Sequence, residues 1–118
     1  MTAQQIKFVK ASLPAALAAG AAFNMNPSVI LAQAAFESGW GTSNLATGSN
    51  NFFGMTAYGA GNQYWHGRKT QVKTTAYSLD FRRYDTRENS FLDFARLIRN
   101  NYRSAWQVSK NPEAYARE

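Results

Sequence analysis

The most restrictive feature of this sequence is an apolar segment that begins after Asn26. Asn26 and Pro27 form a strong helix start, because asparagine caps helix N-termini and proline suits the first helical position. Residues 29–38 read VILAQAAFES, which puts apolar side chains on nearly every side of the helix, and such helices are buried. The glycines in segment 39–41 end the helix. The sequence therefore predicts a domain built around one buried helix.

Helical spacing predicts another helix near the N-terminus. Apolar residues recur three or four positions apart at Ile6, Val9, Leu13 and Leu17. A secretory signal would be apolar all round and richer in leucine, so we expect this run to be a helix of the mature domain and not a signal peptide. No run approaches the roughly 18 apolar residues that a membrane span needs, and no span is expected.

The second half of the chain predicts a small sheet followed by a helix. Alternating residues over 70–84 predict a β-hairpin. Asp85 then resembles an N-cap, and apolar residues recur at helical spacing from Phe91 to Tyr102. The expected fold class is α+β and mainly helical, with residues 1–118 as a single domain. The other expected features are two loops and a last short helix, at residues 42–51, 59–67 and near Pro112.

The side-chain inventory excludes several kinds of chemistry. The 118 residues include no cysteine, which excludes disulfides, thiolate zinc sites and a cysteine nucleophile. His66 is the only histidine, and the sequence has neither a Gly-x-Ser-x-Gly nucleophile motif nor a glycine-rich phosphate loop. We therefore expect chemistry based on carboxylates, tyrosines and amides, with no metal and no cofactor.

The formal net charge of +6 suits polyanionic surroundings, such as nucleic acid, anionic lipid or the acidic polymers of a cell wall. Most of this charge lies after position 64, where 11 basic and 6 acidic residues are found. Because the two signs are mixed there, an ordinary solvated surface is favoured over a nucleic-acid-binding stripe.

Glu37 is the most informative single residue, because it is the only carboxylate side chain in the first 79 positions. It ends the apolar helix, where the helix dipole disfavours an anion and where Phe36 and Trp40 would exclude water. Both effects would raise the pKa of Glu37. A carboxylic acid that stays protonated near neutral pH is what a glycosidase uses to protonate a leaving oxygen. The alternative is an ordinary glutamate at a solvent-facing helix end.

The sequence downstream of Glu37 is dense in amide and aromatic side chains. Such side chains suit a polysaccharide groove, where rings stack on sugars and amides bind hydroxyl and acetamido groups, although aromatic rings also stack on bases. Core packing is the favoured alternative for Phe52 and Phe53, whereas Tyr64 and Trp65 lie in a polar loop and fit a groove better. The full set is Asn50, Asn51, Phe52, Phe53, Tyr58, Tyr64 and Trp65.

Three ordered blocks of sequence resemble a known enzyme family. Residues 30–41 read ILAQAAFESGWG, residues 50–55 read NNFFGM, and residues 81–85 and 90–91 read FRRYD and SF. In this order and with these gaps, the blocks look like the motifs of glycoside hydrolase family 73. Its members are bacterial and phage endo-β-N-acetylglucosaminidases of peptidoglycan and include the wall-cutting domain of flagellar rod-cap proteins. The resemblance covers about residues 4–118.

The resemblance implies a lysozyme-like domain in which a small β-hairpin lobe flanks the active-site cleft. Glu37 falls on the family's general acid, so the implied reaction is cleavage of the β-1,4 bond after N-acetylglucosamine in a glycan strand. The implied protein is a monomer of the periplasm, the cell wall or a phage, with no nucleic-acid partner. The expected groove contacts are Trp40, Asn50, Asn51, Phe53, Tyr58, Tyr64, Trp65 and Tyr77.

The sequence departs from the family at two places. Many members carry a second acid in a Thr-Thr-Glu-Tyr type sequence, whereas residues 74–77 read TTAY, with Ala76 in place of the glutamate. Asp80 is the best substitute. Without it, weakly activated water, the substrate's acetamido oxygen or an internal hydroxyl would attack. Members usually continue into a helical segment with a Gly-Tyr-Ala-Thr-Asp-Pro type motif, which nothing after Tyr115 matches, so the chain is expected to be either truncated at its C-terminus or a naturally minimal form.

Other functions stay open at this stage. One alternative is a wall-binding module that has lost catalytic activity because Ala76 replaces the second acid. Such a module would bind glycan strands without releasing reducing ends. A muramidase or a lytic transglycosylase with one catalytic glutamate would release different ends. A nucleic-acid-binding domain would show a steep salt dependence of binding, but the family motifs oppose it.

Overall fold

The computed structural model describes residues 1–107. Three helices pack against one another, and two antiparallel strands form a small lobe beside them. This mainly helical arrangement confirms the predicted α+β fold class. The last predicted helix, near Pro112, lies outside the described residues. The elements are α1 (Ala3–Phe23), α2 (Pro27–Ser38), α3 (Asn44–Ser49), β1 (Lys69–Lys73), β2 (Ser78–Arg82), α4 (Arg87–Asn101) and α5 (Arg103–Gln107).

Helix α1 is the predicted N-terminal helix, and it packs on α4 and α2. Thr2 and Gln5 form a capping box at its start. Gly20 is required near its end, because a Cβ there would lie 2.7 Å from the Met25 carbonyl oxygen. Contrary to the sequence-based expectation, α1 is long and apolar enough to cross a membrane, with a mean hydropathy of 1.3. A third of that apolar window is buried, and core helices and signal sequences share these properties.

Helix α2 begins and ends as predicted. The Asn26 side chain accepts a hydrogen bond from the Ser28 amide, and Gly39 closes the helix in the left-handed conformation. The prediction that α2 is buried all round is wrong, since the Phe36 side chain is 82% exposed and Glu37 is also exposed. Helices α1 and α4 cover one side of α2, and the opposite side faces solvent.

Two local details correct the sequence-based prediction. The predicted loop 42–51 contains the short helix α3, which Ser43 caps at its N-terminus and Asn50 ends in the left-handed conformation. Helix α4 is capped by Thr86 and not by Asp85. The Asp85 carboxylate instead contacts His66 and Arg68, which lie in the loop before β1. The hydrogen bond from His66 is the main reason that the pKa of Asp85 is lowered.

The predicted hairpin forms with a regular register that pairs Lys69 with Arg82 and Lys73 with Ser78. Its turn is the TTAY segment, residues 74–77. There, the Thr74 hydroxyl accepts hydrogen bonds from the amides of Ala76 and Tyr77. A further short segment runs along the other edge of β2. There, the Arg82 amide donates to the Met55 carbonyl, and the amide of residue 57 donates to the carbonyl of residue 80. The hairpin is thereby joined to the helical part of the chain.

A buried carboxylate ties the hairpin to α4. Asp93 is fully buried and accepts hydrogen bonds from the Arg82 guanidinium at 2.7 Å and from the Tyr84 hydroxyl at 2.5 Å. Its other oxygen accepts from Asn62 and Arg96, each at 3.1 Å. Burial, reinforced by the Asp93 charge, raises the pKa of Tyr84 far above its ordinary value, so its hydroxyl stays a donor. Among the described residues, no buried side-chain nitrogen or oxygen lacks a partner.

We predict that Asp93→Asn destabilises the fold by about 3–5 kcal/mol, because it leaves two guanidinium groups without their carboxylate inside the protein. Urea unfolding followed by circular dichroism measures the change. Asp85→Asn is the control, since it removes the same charge from an exposed ion pair and should change the free energy of unfolding little. An equal effect of the two substitutions would contradict the structural role of Asp93.

Candidate active site

Glu37 lies in the last turn of α2, on the side of the helix that faces solvent. One of its carboxylate oxygens accepts a hydrogen bond from the Gln33 side chain at 3.2 Å, one helical turn earlier. The expectation that Phe36 strips water from this carboxylate is wrong, because the phenyl ring itself points into solvent. The chain therefore presents an accessible carboxylate in a fixed position.

The loop after Phe53 runs directly past this carboxylate. Gly54 has a positive φ of +64°, and a Cβ built there would lie 3.9 Å from the second oxygen of Glu37. Glycine suits both conditions, because it adopts this backbone conformation without strain and leaves space beside the carboxylate. Sequence reasoning missed Gly54, although the NNFFGM block that contains it had been noted.

A recess of about 580 Å³ is lined by this loop, including Gly54, but not by Glu37 itself. One wall is the segment from Phe53 to Gly59, which includes the exposed Tyr58 side chain. The other wall is the C-terminal half of α4. We call this space the cleft recess. Its size suits a sugar unit or two, and its lining mixes apolar side chains with the Arg82 guanidinium.

Asp80 lies on β2 and is exposed. Since the hairpin register is regular, strand alternation puts its side chain on the same face as Arg82, which lines the cleft recess. The Asp80 carbonyl accepts from the Ala57 amide at 2.9 Å. Glu37 and Asp80 thus flank opposite ends of one short segment, from Gly54 to Ala57. Ala76, by contrast, lies in the hairpin turn.

Asn51 supports the site but does not reach it. Its side chain is 1% exposed, its amide nitrogen donates to the carbonyls of Met55 and Arg82, and its oxygen accepts from the Phe53 and Met55 amides. The predicted substrate contact of Asn51 is therefore corrected to a role in holding the loop beside Glu37. The Asn50 side chain similarly donates to a backbone carbonyl, that of Tyr84.

The predicted substrate contact of Trp65 is also corrected. Its indole is 1% exposed, its nitrogen donates to the Arg68 carbonyl at 2.7 Å, and the Arg82 guanidinium lies 4.2 Å from the ring centroid. The polar loop around it suggested a groove residue, but the ring is the buried centre of that loop. Phe53 is mainly a core residue as well, stacked on Phe94 at 4.1 Å, and only its edge borders the cleft recess.

The remaining predicted contacts are spread over the surface. Tyr58 borders the cleft recess, and Tyr77 lies half exposed in the hairpin turn. Tyr64 packs edge-on against Phe23, at the far end of α1. Trp40 packs edge-on against the ring of residue 8 and borders a different recess, described below. Of the predicted aromatic residues, Tyr58 and Phe53 are thus the two that border the cleft recess.

Comparison with known sequences identifies the family of this chain. Residues 13–117 match the family described as Glucosaminidase, Mannosyl-glycoprotein endo-beta-N-acetylglucosaminidase. The chain belongs to the glucosaminidase family. The predicted resemblance is therefore confirmed.

Two curated relatives of this glucosaminidase domain are named peptidoglycan hydrolase FlgJ. The protein of Vibrio parahaemolyticus is 32% identical over 123 residues, which cover 93% of this chain and 39% of that protein. The protein of Pseudomonas aeruginosa is 30% identical over 132 residues, covering 100% of this chain and 32% of that protein. The chain thus spans less than half the length of these relatives.

Solved structures share the fold of this glucosaminidase domain. The glycoside hydrolase domain of Salmonella typhimurium FlgJ aligns with a TM-score of 0.77 at 30% identity, covering 95% of this chain and 72% of that one. The catalytic domain of the Listeria monocytogenes autolysin Auto aligns with a TM-score of 0.74 at 26% identity, covering 99% and 73%. The arrangement of helices and hairpin is therefore that of glucosaminidase structures.

We predict that Gly54→Ala destabilises the domain by about 1–2 kcal/mol, because alanine resists a positive φ. The new methyl group would also lie against the Glu37 carboxylate. Urea unfolding measures the change. The matched control is Gly48→Ala, in helix α3, where an added Cβ meets nothing within 4 Å and the stability should hold or rise. Equal stability of the two variants would contradict the need for glycine at the positive φ of Gly54.

Proposed function

We propose that this domain hydrolyses the β-1,4 bond after N-acetylglucosamine in peptidoglycan glycan strands, with Glu37 as the general acid. The observation that carries the proposal is the position of Glu37, an accessible carboxylate beside Gly54, which itself lines the cleft recess. Membership of the glucosaminidase family and the names of the FlgJ relatives support the same reaction and substrate.

Glu37 supplies the proton in this mechanism. In its protonated form it donates to the glycosidic oxygen as the bond from the anomeric carbon to that oxygen breaks, which leaves Glu37 as a carboxylate. Gln33 holds the side chain by its hydrogen bond, so the carboxyl group is aimed before substrate arrives. The open surroundings of Glu37 allow it to regain a proton from solvent after each turnover.

Asp80 is proposed as the second carboxylate. It accepts a proton from the attacking water, whose oxygen bonds to the anomeric carbon. Two residues separate Gly54, beside Glu37, from Ala57, whose amide bonds the Asp80 carbonyl, and such a segment spans at most about 10 Å. Activation of a water by Asp80 requires the wider carboxylate spacing of about 6.5–9.5 Å, whereas direct attack by a carboxylate requires about 5–5.5 Å.

The cleft recess is proposed to bind the sugar chain. Tyr58 offers an exposed ring at the edge of the recess, and the edge of Phe53 contributes to its floor. The proposed place of action is the periplasm or the cell wall, and the net charge of +6 suits the anionic wall.

We predict that Glu37→Gln lowers hydrolysis of purified peptidoglycan by about 100- to 10,000-fold, because the amide cannot donate an acidic proton. Mass spectrometry of the released fragments should show reducing N-acetylglucosamine ends with the unaltered chain and hardly any with the variant. Glu88→Gln removes an exposed carboxylate from α4 and serves as the matched control. Unchanged activity of Glu37→Gln contradicts the mechanism, and wall binding without fragments from the unaltered chain contradicts the proposed function.

For Asp80→Asn we expect a fall in turnover of about 100-fold with an unchanged melting temperature, because an exposed base is lost without any loss of packing. The same fragment assay gives the rate, and Asp85→Asn controls for the loss of one negative charge near the hairpin. An unchanged rate would contradict the role of Asp80 and would favour attack by the acetamido oxygen of the substrate.

A further inference from the structure

A second recess, of about 440 Å³, lies between the N-terminal half of α1, the turn after α2 and the start of α4. It shares no lining residue with the cleft recess. Two cationic side chains, Lys7 and Arg87, line it, and no acidic side chain does so among the described residues. We call it the basic recess. The proposed reaction uses none of its residues.

Arg87 is an unusual cation, because it is partly buried without a carboxylate. Its guanidinium donates to the Ser12 hydroxyl at 2.6 Å and lies 4.4 Å from the centroid of the Phe52 ring. Within residues 1–107, every ion pair involves Asp85 or Asp93, so neither Arg87 nor Lys7 has an acidic partner there. Burial lowers the pKa of Arg87, which reports the cost of keeping this charge away from water. An anion in the recess would offset that cost.

The floor of the basic recess is a set of packed aromatic rings. Phe8 contacts Trp40 edge-on at 6.0 Å and Phe52 at 6.3 Å, and Phe52 in turn supports the Arg87 guanidinium. The Gln4 side chain donates to the Trp40 carbonyl at 3.0 Å and so fixes the rim. These contacts hold the recess in shape before any ligand enters, which lowers the entropic cost of binding.

Lys7 and Arg87 are the principal hydrogen-bond donors that line the basic recess. The hydroxyls of Thr42 and Thr47 already donate to the carbonyls of Gly39 and Ser43. Among the described residues, the Lys7 ammonium has no hydrogen-bond partner, and the Arg87 guanidinium donates only to the Ser12 hydroxyl. Charge-assisted donors with free N–H groups select an oxyanion over a neutral ligand.

We propose that the basic recess binds an oxyanion, a phosphate or a carboxylate, carried by a cell-wall polymer. The choice of the wall as its source rests on the proposed function, whereas the oxyanion chemistry rests on the recess alone. Occupancy of this recess holds the polymer at a place other than the cleft recess, so the domain stays attached to the wall between cleavage events.

Inorganic phosphate is the first probe, followed through the Trp40 indole signal by nuclear magnetic resonance of the full chain. We expect a saturable shift with a Kd of about 1 mM, typical of a single small ion. Lys7→Glu should weaken binding by about tenfold or more, which corresponds to at least ~1.4 kcal/mol. Lys10→Glu makes the same charge change on the same helix without lining the recess, and it should alter the Kd by less than about twofold.

The source of the oxyanion is distinguished by competition against phosphate. Poly(glycerol phosphate) presents the phosphodiester and the dipeptide D-alanyl-D-alanine presents the carboxylate, and displacement by either supports the proposal and identifies the group. Three results would overturn it: no saturable shift, equal effects of Lys7→Glu and Lys10→Glu, or phosphate binding that neither wall compound displaces. Because these measurements record binding and not turnover, they are independent of the Glu37→Gln result.

Discussion

The shape of the candidate site depends on one buried carboxylate, that of Asp93. An ionised group is costly inside a protein unless every oxygen lone pair is used, and Asp93 meets that condition through donors from three parts of the chain. Arg82 and Tyr84 come from the hairpin and the residues after it, Asn62 comes from the loop before it, and Arg96 comes from α4 itself. The small lobe is therefore fixed against the helices that carry the rest of the site.

The same network reaches the cleft through Arg82. Its guanidinium bonds Asp93 and also donates to the carbonyls of Thr56 and Tyr58, so a single side chain anchors the loop that borders the recess. Asn51 holds the other end of that loop by three backbone contacts, to Phe53 and Met55, and also bonds the Arg82 carbonyl. These hydrogen bonds hold the segment in the position that brings Gly54 beside Glu37.

The charged side chains discussed above fall into two groups, those with a partner of opposite charge and those without one. Asp93 and Asp85 are each neutralised by two basic side chains. Glu37 stays unpaired with any cation within residues 1–107, which leaves its carboxyl group available for proton transfer. Lys7 and Arg87 similarly have no acidic partner there, and the proposed oxyanion would neutralise them. Both proposals follow from charges that the fold leaves uncompensated.

The sequence by itself determined what local chemistry controls. Asn26 and Gly39 bound α2 because caps act within a few residues, and alternation predicted the hairpin because strand pairing repeats every second residue. Tertiary structure alone decided which apolar residues are covered. Phe36 faces solvent while Trp65 is buried, because exposure depends on elements far apart in sequence. For the same reason, only the fold revealed that Gly54 lies against the candidate acid.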